Sequence, residues 1–434
     1  MVRRKRRVAP LVRLRFQPPV HSPLAIRWIL RAAATPAGPA GDPRPRLLSY
    51  LLDAYTAHSG VLCGSGTDAL RRALELAGAW TDGAPAALPA FACFDVATAA
   101  VGAGARVAFY DVDPATLAPD LASLDAALRA GARSVVAAPL YGVPVDWAEL
   151  RALADRHGAI LIEDAAQGHG AAWHGAPLGS LGDLSVLSFG RGKGWTGVRG
   201  GALLVRGNIG TGHRIEWPNV EIAAAGVPVV SRRVAAPVEQ IPTPRRAAPA
   251  DEARVLLAAF AQCTLARPSL YGLPRAIPGL HLGETRYREP APPRPMARAA
   301  AALVELSRTH ADAEADARRR NARRLLERIR PGDHLATVRP PEGSVPGYLR
   351  LPLRLTHGFG GLDDPAAAAR LGIAPSYPTP LTELPPLRPL WARPPAPCPG
   401  ARTLSRQLVT LPTHSRLTAA EHHEVLRAVH ARRP

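Results

Sequence analysis

Along the first half of the chain, short apolar runs alternate with stretches in which apolar positions recur every three or four residues. The runs Ala86–Pro89, Arg106–Tyr110, Ser134–Leu140 and Ala159–Ile162 read as buried strands. Between them, the segments near Ala97–Gly102, Asp120–Ala130 and Trp147–His157 have helical periodicity, as do Leu47–Tyr55 and Thr67–Leu76 before them. Strand, helix, strand at this spacing requires crossover connections, hence parallel pairing and a doubly wound sheet. Two further strands, Leu184–Phe189 and Gly201–Val205, flank a Gly-rich loop. Residues 206–295 are less regular, with one helical stretch near Asp251–Leu265. A long Arg/Ala helix is expected over Met296–Arg328. A strand at Tyr348–Leu353, a Pro-rich connection over Pro375–Pro397, a strand at Gln407–Leu411 and a final helix from Thr418 follow. The pattern predicts a large α/β domain and a smaller C-terminal α/β domain.

Length and composition agree with a folded, multidomain chain. The 434 residues are 47% hydrophobic and 21% charged, which excludes global disorder or a fibrous repeat. Charges, Pro or Gly interrupt every apolar run before it reaches bilayer length, so no membrane span is expected. The four Cys, at 63, 93, 263 and 398, form no CxxC pair. That argues against a disulfide framework or a zinc knuckle and fits a reducing cytoplasm; no metal site is expected.

Net charge changes the picture in one place only. Residues 1–41 contain no acid and hold eight Arg and Lys5, so +9 of the net +19 sits in this head. A basic arm for nucleic acid is one reading. A Pro/Arg-rich extension packed around the body is the preferred one, and an organelle-type transit segment is a minor third. The whole chain has 52 Arg and 2 Lys, so outside the head Lys193 is the lone lysine. Guanidinium supplies charge and salt bridges but makes a poor amine nucleophile, whereas a lysine amine can be tuned for that work. By composition alone, one Lys surviving in an Arg-biased chain needs no special reason.

Three clusters on the α/β half carry candidate chemistry. Gly64-Ser65-Gly66-Thr67 precedes a helix, where free N–H groups and the positive end of the dipole suit a phosphate; taken alone, it reads as a plain N-cap made by Ser65 or Thr67. Glu163-Asp164-Ala165-Ala166-Gln167 follows a strand, where an acid either faces a ligand or caps the next turn. Ser188-Phe189-Gly190-Arg191-Gly192-Lys193-Gly194 sets the lone Lys among glycines. A phosphate cradle, a carboxylate and a lysine together are what pyridoxal phosphate requires. Gly192-Lys193-Gly194-Trp195-Thr196-Gly197 also matches GxGxxG, but it leads into a strand rather than opening a helix, so a nicotinamide site is not supported.

With these residues in view, the sequence resembles the DegT/DnrJ/EryC1/StrS sugar aminotransferases, fold type I pyridoxal-phosphate enzymes. The resemblance runs from about Leu47 to the C-terminus and is weakest over 206–295. It is carried by Ser65-Gly66-Thr67, Pro89 to Cys93, Gly104-Ala105-Arg106 through Asp111-Val112-Asp113, Leu140-Tyr141-Gly142, Glu163 to Ala171, Gly179-Ser180-Leu181-Gly182-Asp183, and Ser188 to Lys193 before Gly200-Gly201. In the second half it continues through Arg320-Asn321-Ala322, Gly372-Ile373, Tyr377-Pro378, Pro380-Leu381 and Leu411-Pro412-Thr413-His414. It implies an N-terminal extension (1–45), a large cofactor domain (46–295, divergent over 206–295) with a mostly parallel doubly wound sheet, and a small C-terminal domain (296–434).

The resemblance also implies roles. Lys193 would carry the cofactor as an internal aldimine and shuttle the proton. Asp164 would pair with the pyridinium nitrogen, and Gln167 would sit by the 3-hydroxyl. Ser188 and the backbone N–H groups of Gly66, Thr67 and Asp68 would hold the phosphate. His169 belongs to the signature and is read as a packed, hydrogen-bonded histidine. Lys193, rather than the His of a dehydrating branch, favours transamination. Cys93 stands where many members place an aromatic over the cofactor ring, leaving Phe91 or Phe94 as stacking candidates. Arg199 replaces a usual Glu. The Asn-aromatic-Arg motif by which a neighbouring subunit reaches the phosphate is not visible, with Arg294 a partial substitute. The implied activity moves an amino group from glutamate to a nucleotide-linked keto sugar in a homodimer, for polysaccharide or secondary-metabolite synthesis. The alternatives are a cofactor-bound regulator, a non-sugar aminotransferase homologue and, ranked lowest, a nucleic-acid binder.

Overall fold

The computed structural model describes residues 15–36, 41–206, 247–275 and 285–431. Within the irregular stretch 206–295, residues 207–246 and 276–284 lie outside the described residues. The described part of the basic head packs on the body. Residues 15–25 run extended into α1 (Ile26–Ala33), which buries Trp28, Ile29 and Ala32. α2 (Pro43–Ala54) starts with Pro43 in its first turn and Asp42 accepting from the Arg44 N–H, earlier than the apolar periodicity suggests.

The large layer alternates as expected. It comprises β1 (Ser59–Cys63), α3 (Gly66–Trp80), β2 (Ala86–Pro89), α4 (Phe94–Ala103), β3 (Val107–Tyr110), α5 (Leu121–Arg129), β4 (Ser134–Ala137), α6 (Trp147–Arg156) and β5 (Ile160–Asp164). The short strands β6 (Ala172–Trp173) and β7 (Ala176–Pro177) precede β8 (Leu184–Ser188) and β9 (Gly201–Val205). The seven-stranded sheet runs β1-β9-β8-β5-β4-β2-β3. Pairings from β3 to β8 are parallel, while β9 is antiparallel to both β8 and β1. The sequence pattern misses β1, a short edge strand interrupted by Gly60. The expected strand Ser134–Leu140 stops at Ala137, because Pro139 removes a donor and Leu140–Gly142 forms a 3-10 turn with Tyr141 at φ 58°. α4 starts at Phe94, three residues before the expected helix, and so draws Asp95 into its first turn.

The remainder is built from α7 (Pro249–Leu265), α8 (Gly272–Arg275), the long α9 (Arg298–Leu326) and β10 (Leu335–Thr337). Then come β11 (Ser344–Val345), β12 (Leu351–Leu355), α10 (Pro365–Arg370), β13 (Ala374–Pro375), α11 (Pro399–Gln407), β14 (Leu408–Leu411) and α12 (Ala419–His430). The C-terminal antiparallel sheet is ordered β10-β12-β14-β13, and β11 joins β6 and β7 in a small sheet of its own. Two apolar clusters meet within α9: Ala299 to Ala311 belong to the large core, and Leu325 to the smaller one with Leu353, Val409 and Val425. α9 thus packs its first half on the large core and its end on the smaller one. Among the described residues no helix is long and apolar enough to cross a membrane.

One buried acid fixes the strand ends at the centre of the sheet. The Glu163 side chain is fully buried and accepts from the N–H groups of Gly179 at 2.6 Å and Leu181 at 2.8 Å and from the Ser185 hydroxyl at 2.8 Å. The buried Arg206 donates to the carbonyls of Gly182 and Tyr55 and to Ser185, surrounding the same point. Side chains alternate along a strand, so Asp164 next to Glu163 faces the opposite way.

Buried histidines give the fold an acid limit. Desolvation holds the His169 imidazole down to about 3, with the Arg318 cation adding to it, and holds His414 down to about 4. In the unfolded chain both titrate near 6.5. Their contribution is complete above about pH 6.5 and is lost as pH falls toward the folded values, because the unfolded state then binds protons that the folded state refuses. Each histidine is expected to cost about 1.4 kcal/mol per pH unit between roughly 6.5 and 4.5. Urea midpoints measured at pH 7.5 and 5 should drop accordingly, and His414→Asn should flatten the slope; equal midpoints would contradict the assignment.

Candidate active site

The carboxyl ends of β4, β5 and β8 meet the N-terminal ends of α3 and α4, the position where open α/β sheets hold ligands. A cavity there is lined by Gly66, Thr67, Leu70, Cys93, Asp95, Ala138, Pro139, Leu140, Asp164, Ala166, Gln167, Ser188 and Lys193. Six of the seven residues singled out in the sequence thus face one space, although 127 residues separate Gly66 from Lys193 in the chain.

Asp68 is the exception. Ser65 is the N-cap of α3, and its Oγ accepts from the Asp68 N–H at 3.0 Å. That donor is engaged inside the cap, and Asp68 does not line the cavity as Gly66 and Thr67 do. Gly66 and Thr67, in the first turn, keep N–H groups with no intrahelical acceptor. Their closeness to β8 is enforced by size: a Cβ on Gly66 would lie 2.6 Å from the Ser188 Cβ. Helix N-terminus and Ser188 hydroxyl therefore form one compact corner, of a kind suited to an anion.

At the other end, Asp164 closes β5, and its Oδ1 accepts from the Ala166 N–H at 3.1 Å. Burial pushes its carboxyl above the ordinary range, and the Lys193 ammonium pulls the other way. A carboxyl in such surroundings would be stabilised as an anion by a further positive group entering the cavity. Gln167 lines the cavity but is already engaged. Its amide oxygen accepts from the Tyr141 N–H at 2.8 Å and its amide nitrogen donates to the Tyr377 hydroxyl at 2.8 Å. The left-handed backbone at Tyr141 aims that N–H at Gln167. Tyr141 and Tyr377 stack at 6.2 Å, and Tyr377 also packs on Phe91. Neither Phe91 nor Phe94 lines the cavity. The residue over this face is Cys93, whose thiol burial raises to about 12, keeping it protonated.

Lys193 sits in a loop that returns to β9, not to a helix, which removes the nicotinamide reading of its glycines. The Thr196 hydroxyl donates to the carbonyls of Phe189 and Gly190, both at 3.1 Å, and the Trp195 indole donates to Val304 on α9 at 2.8 Å. Gly194 lies where a Cβ would fall 2.7 Å from the Arg318 guanidinium, so a side chain here would require that guanidinium to shift. His169 packs beside Trp195 with ring centroids 5.4 Å apart. Arg294 is paired with Asp251 at 2.6 Å, and Arg199 is exposed; neither lines the cavity.

Sequence reasoning missed Asp95, which reaches the cavity because α4 begins early, and assigned no site role to Tyr141 or Tyr377. The tyrosines stood in quoted motifs, but their joint hold on Gln167 depends on a contact across more than two hundred residues. Among the described residues no group of three or more His, Cys, Asp or Glu is gathered as for a metal.

The architecture defines a class. It is the fold of the type I pyridoxal-phosphate aminotransferases: the aminotransferase TlmJ from Streptoalloteichus hindustanus is similar over 95% of this chain and 98% of its own, with a TM-score of 0.66 at 21% identity. Within that class, residues 46–209 match the model of the DegT/DnrJ/EryC1/StrS aminotransferase family. Curated relatives are similar to about a third of the chain. A "pleiotropic regulatory protein" of Geobacillus stearothermophilus is 36% identical over 34% of this chain and 40% of its own. An L-glutamine:2-deoxy-scyllo-inosose aminotransferase of Streptoalloteichus tenebrarius is 38% identical over 35% and 36%. A UDP-N-acetyl-3-dehydro-α-D-glucosamine 3-aminotransferase of Acidithiobacillus ferrooxidans is 39% identical over 30% and 35%. The matched part of the chain thus spans about two fifths of these relatives or less.

The residues present fit pyridoxal phosphate at three points: the corner of Gly66, Thr67 and Ser188 for its phosphate, the half-buried carboxylate of Asp164, and the amine of Lys193. Asp164→Asn keeps the acceptor for Ala166 and removes only the charge. The loss of one charge-assisted hydrogen bond should weaken retention of the cofactor roughly 10- to 150-fold, read by fluorescence titration. Unchanged retention would remove Asp164 from the site.

Proposed function

We propose that this protein is a pyridoxal-phosphate-dependent aminotransferase that passes an amino group from an amino-acid donor to a keto sugar. The observation that carries the reading is the meeting of Lys193, Asp164 and the Gly66–Thr67–Ser188 corner in one cavity. Bound there, the cofactor supplies an electron sink that stabilises negative charge on the donor's α-carbon. The Lys193 amine holds the cofactor and then accepts and returns the proton at Nζ. The Asp164 carboxylate keeps the ring nitrogen protonated. The Gly66 and Thr67 N–H groups and the Ser188 hydroxyl orient the phosphate. Leu70, Pro139 and Leu140 narrow the cavity against water.

The acceptor in this reading is a sugar-like ketone, in its finer form one carried on a nucleotide. The relatives' names support the class: one acts on a keto cyclitol and another on a UDP-linked keto sugar. Glutamate is the donor expected from the resemblance, and glutamine is the donor in the cyclitol enzyme's name. The working unit is a homodimer. Supporting this, Ile26 and Leu30 on α1 and Leu257 and Phe260 on the adjacent α7 are exposed apolar side chains. A second reading, a cofactor-bound regulator with little turnover, is favoured by the name of the Geobacillus relative.

The test is the half-reaction from the amino form of the cofactor, followed by absorbance, with nucleotide-linked keto sugars and keto cyclitols as acceptors. One of the two classes should return the cofactor to its aldehyde form. Lys193→Arg, which keeps the charge, should slow that step roughly a hundred- to ten-thousandfold. No transfer to either class by wild-type protein that retains the cofactor would favour the regulator.

A further inference from the structure

The Lys193 loop is held from outside by a segment that none of the relatives' names or the cofactor reading assigns to the site. Residues 15–25 form an extended strap whose backbone is stiffened by Pro18, Pro19 and Pro23. The strap is pegged along its length. Arg15 and the Gln17 amide both reach Glu421 on α12, at 2.8 and 2.7 Å. The Gln17 N–H donates to the Arg370 carbonyl at 2.8 Å. The His414 ring donates from Nε2 to the Pro18 carbonyl at 2.8 Å, and His21 lies edge-on to the same ring at 6.3 Å. Past these pegs, the buried Ser22 hydroxyl donates to the Lys193 carbonyl. The other bonds that hold this loop lie on either side of Lys193: its own N–H reaches back to Gly190 at 3.3 Å, and Thr196 and Trp195 anchor the return. With glycines at 190, 192 and 194, the peptide of Lys193 has little intrinsic stiffness.

We infer that the strap is part of the active site and that Ser22 is a positioning residue, fixing the Lys193 main chain so that its amine projects into the cavity. The role as a positioning residue for the cofactor's lysine rests on the proposed function; the mechanical coupling of strap to loop does not.

Two measurements on the full chain separate these. In the cofactor-free chain, hydrogen exchange of the 190–197 amides should accelerate several-fold in Ser22→Ala, with the urea midpoint nearly unchanged. Pro23→Gly, which keeps the hydroxyl and loosens the strap, should act in the same direction. With pyridoxal phosphate added, Ser22→Ala should weaken its retention roughly three- to tenfold and shift the pH midpoint of its visible absorption, and Ser22→Thr should restore both. Wild-type exchange rates and retention in Ser22→Ala would overturn the inference, as would equal loss in the Ala and Thr variants alongside a lowered urea midpoint. If the wild-type chain takes up no cofactor, the proposed function fails while the exchange result still judges the strap.

Discussion

The site depends on the way one buried carboxylate ties two neighbouring strands together. Glu163 lies fully enclosed on β5 and collects donors from the turn that leads into β8, with Arg206 completing the enclosure. A buried charge is tolerable only when it is paired and hydrogen-bonded, so this arrangement admits little play. It fixes the register of β5 against β8. Because strand side chains alternate, that register turns Asp164 into the cavity and delivers Ser188 at the end of β8 beside it. The turn from β1 into α3 then closes from the far side, at a distance that only glycine allows at position 66.

Seen this way, the acidic pair Glu163–Asp164 divides its labour between structure and chemistry. One member is saturated with donors and cannot act on a ligand. The other accepts a single backbone hydrogen bond and remains open to a cation. Arginine and lysine divide in a comparable way. Arg206 and Arg318 are buried and spend their guanidinium groups on carbonyls, work that suits a rigid, permanently charged fork. Lys193 instead lines the cavity, where the proposed function asks for an amine. The basic head, which by charge alone suggests a polyanion partner, places its described residues against the body, with Arg15 paired to Glu421.

The alternation of strands and helices in the large layer was legible because buried parallel strands are short apolar runs and their covering helices carry an apolar stripe. β1 and α11 were not. β1 is a short edge strand stabilised by pairing with β9, and α11 lies in a Pro/Arg-rich stretch with a weak apolar pattern. The cavity was legible as three local motifs because each sits at the end of a strand or the start of a helix. What escaped depends on long-range contact. The Asp68 N–H is engaged by Ser65 in a plain N-cap. Tyr141 and Tyr377 reach Gln167 from different parts of the fold, and Ser22 meets Lys193 from the head. No local periodicity encodes such meetings.

The central claim is that the lone body lysine anchors a cofactor in this cavity. Its most direct test is borohydride reduction of the protein isolated with pyridoxal phosphate, followed by peptide mapping. The account predicts a single reduced adduct on the peptide that contains Lys193. Uptake of the cofactor with no adduct at Lys193, or with the label spread over the chain's amino terminus and Lys5, would contradict it.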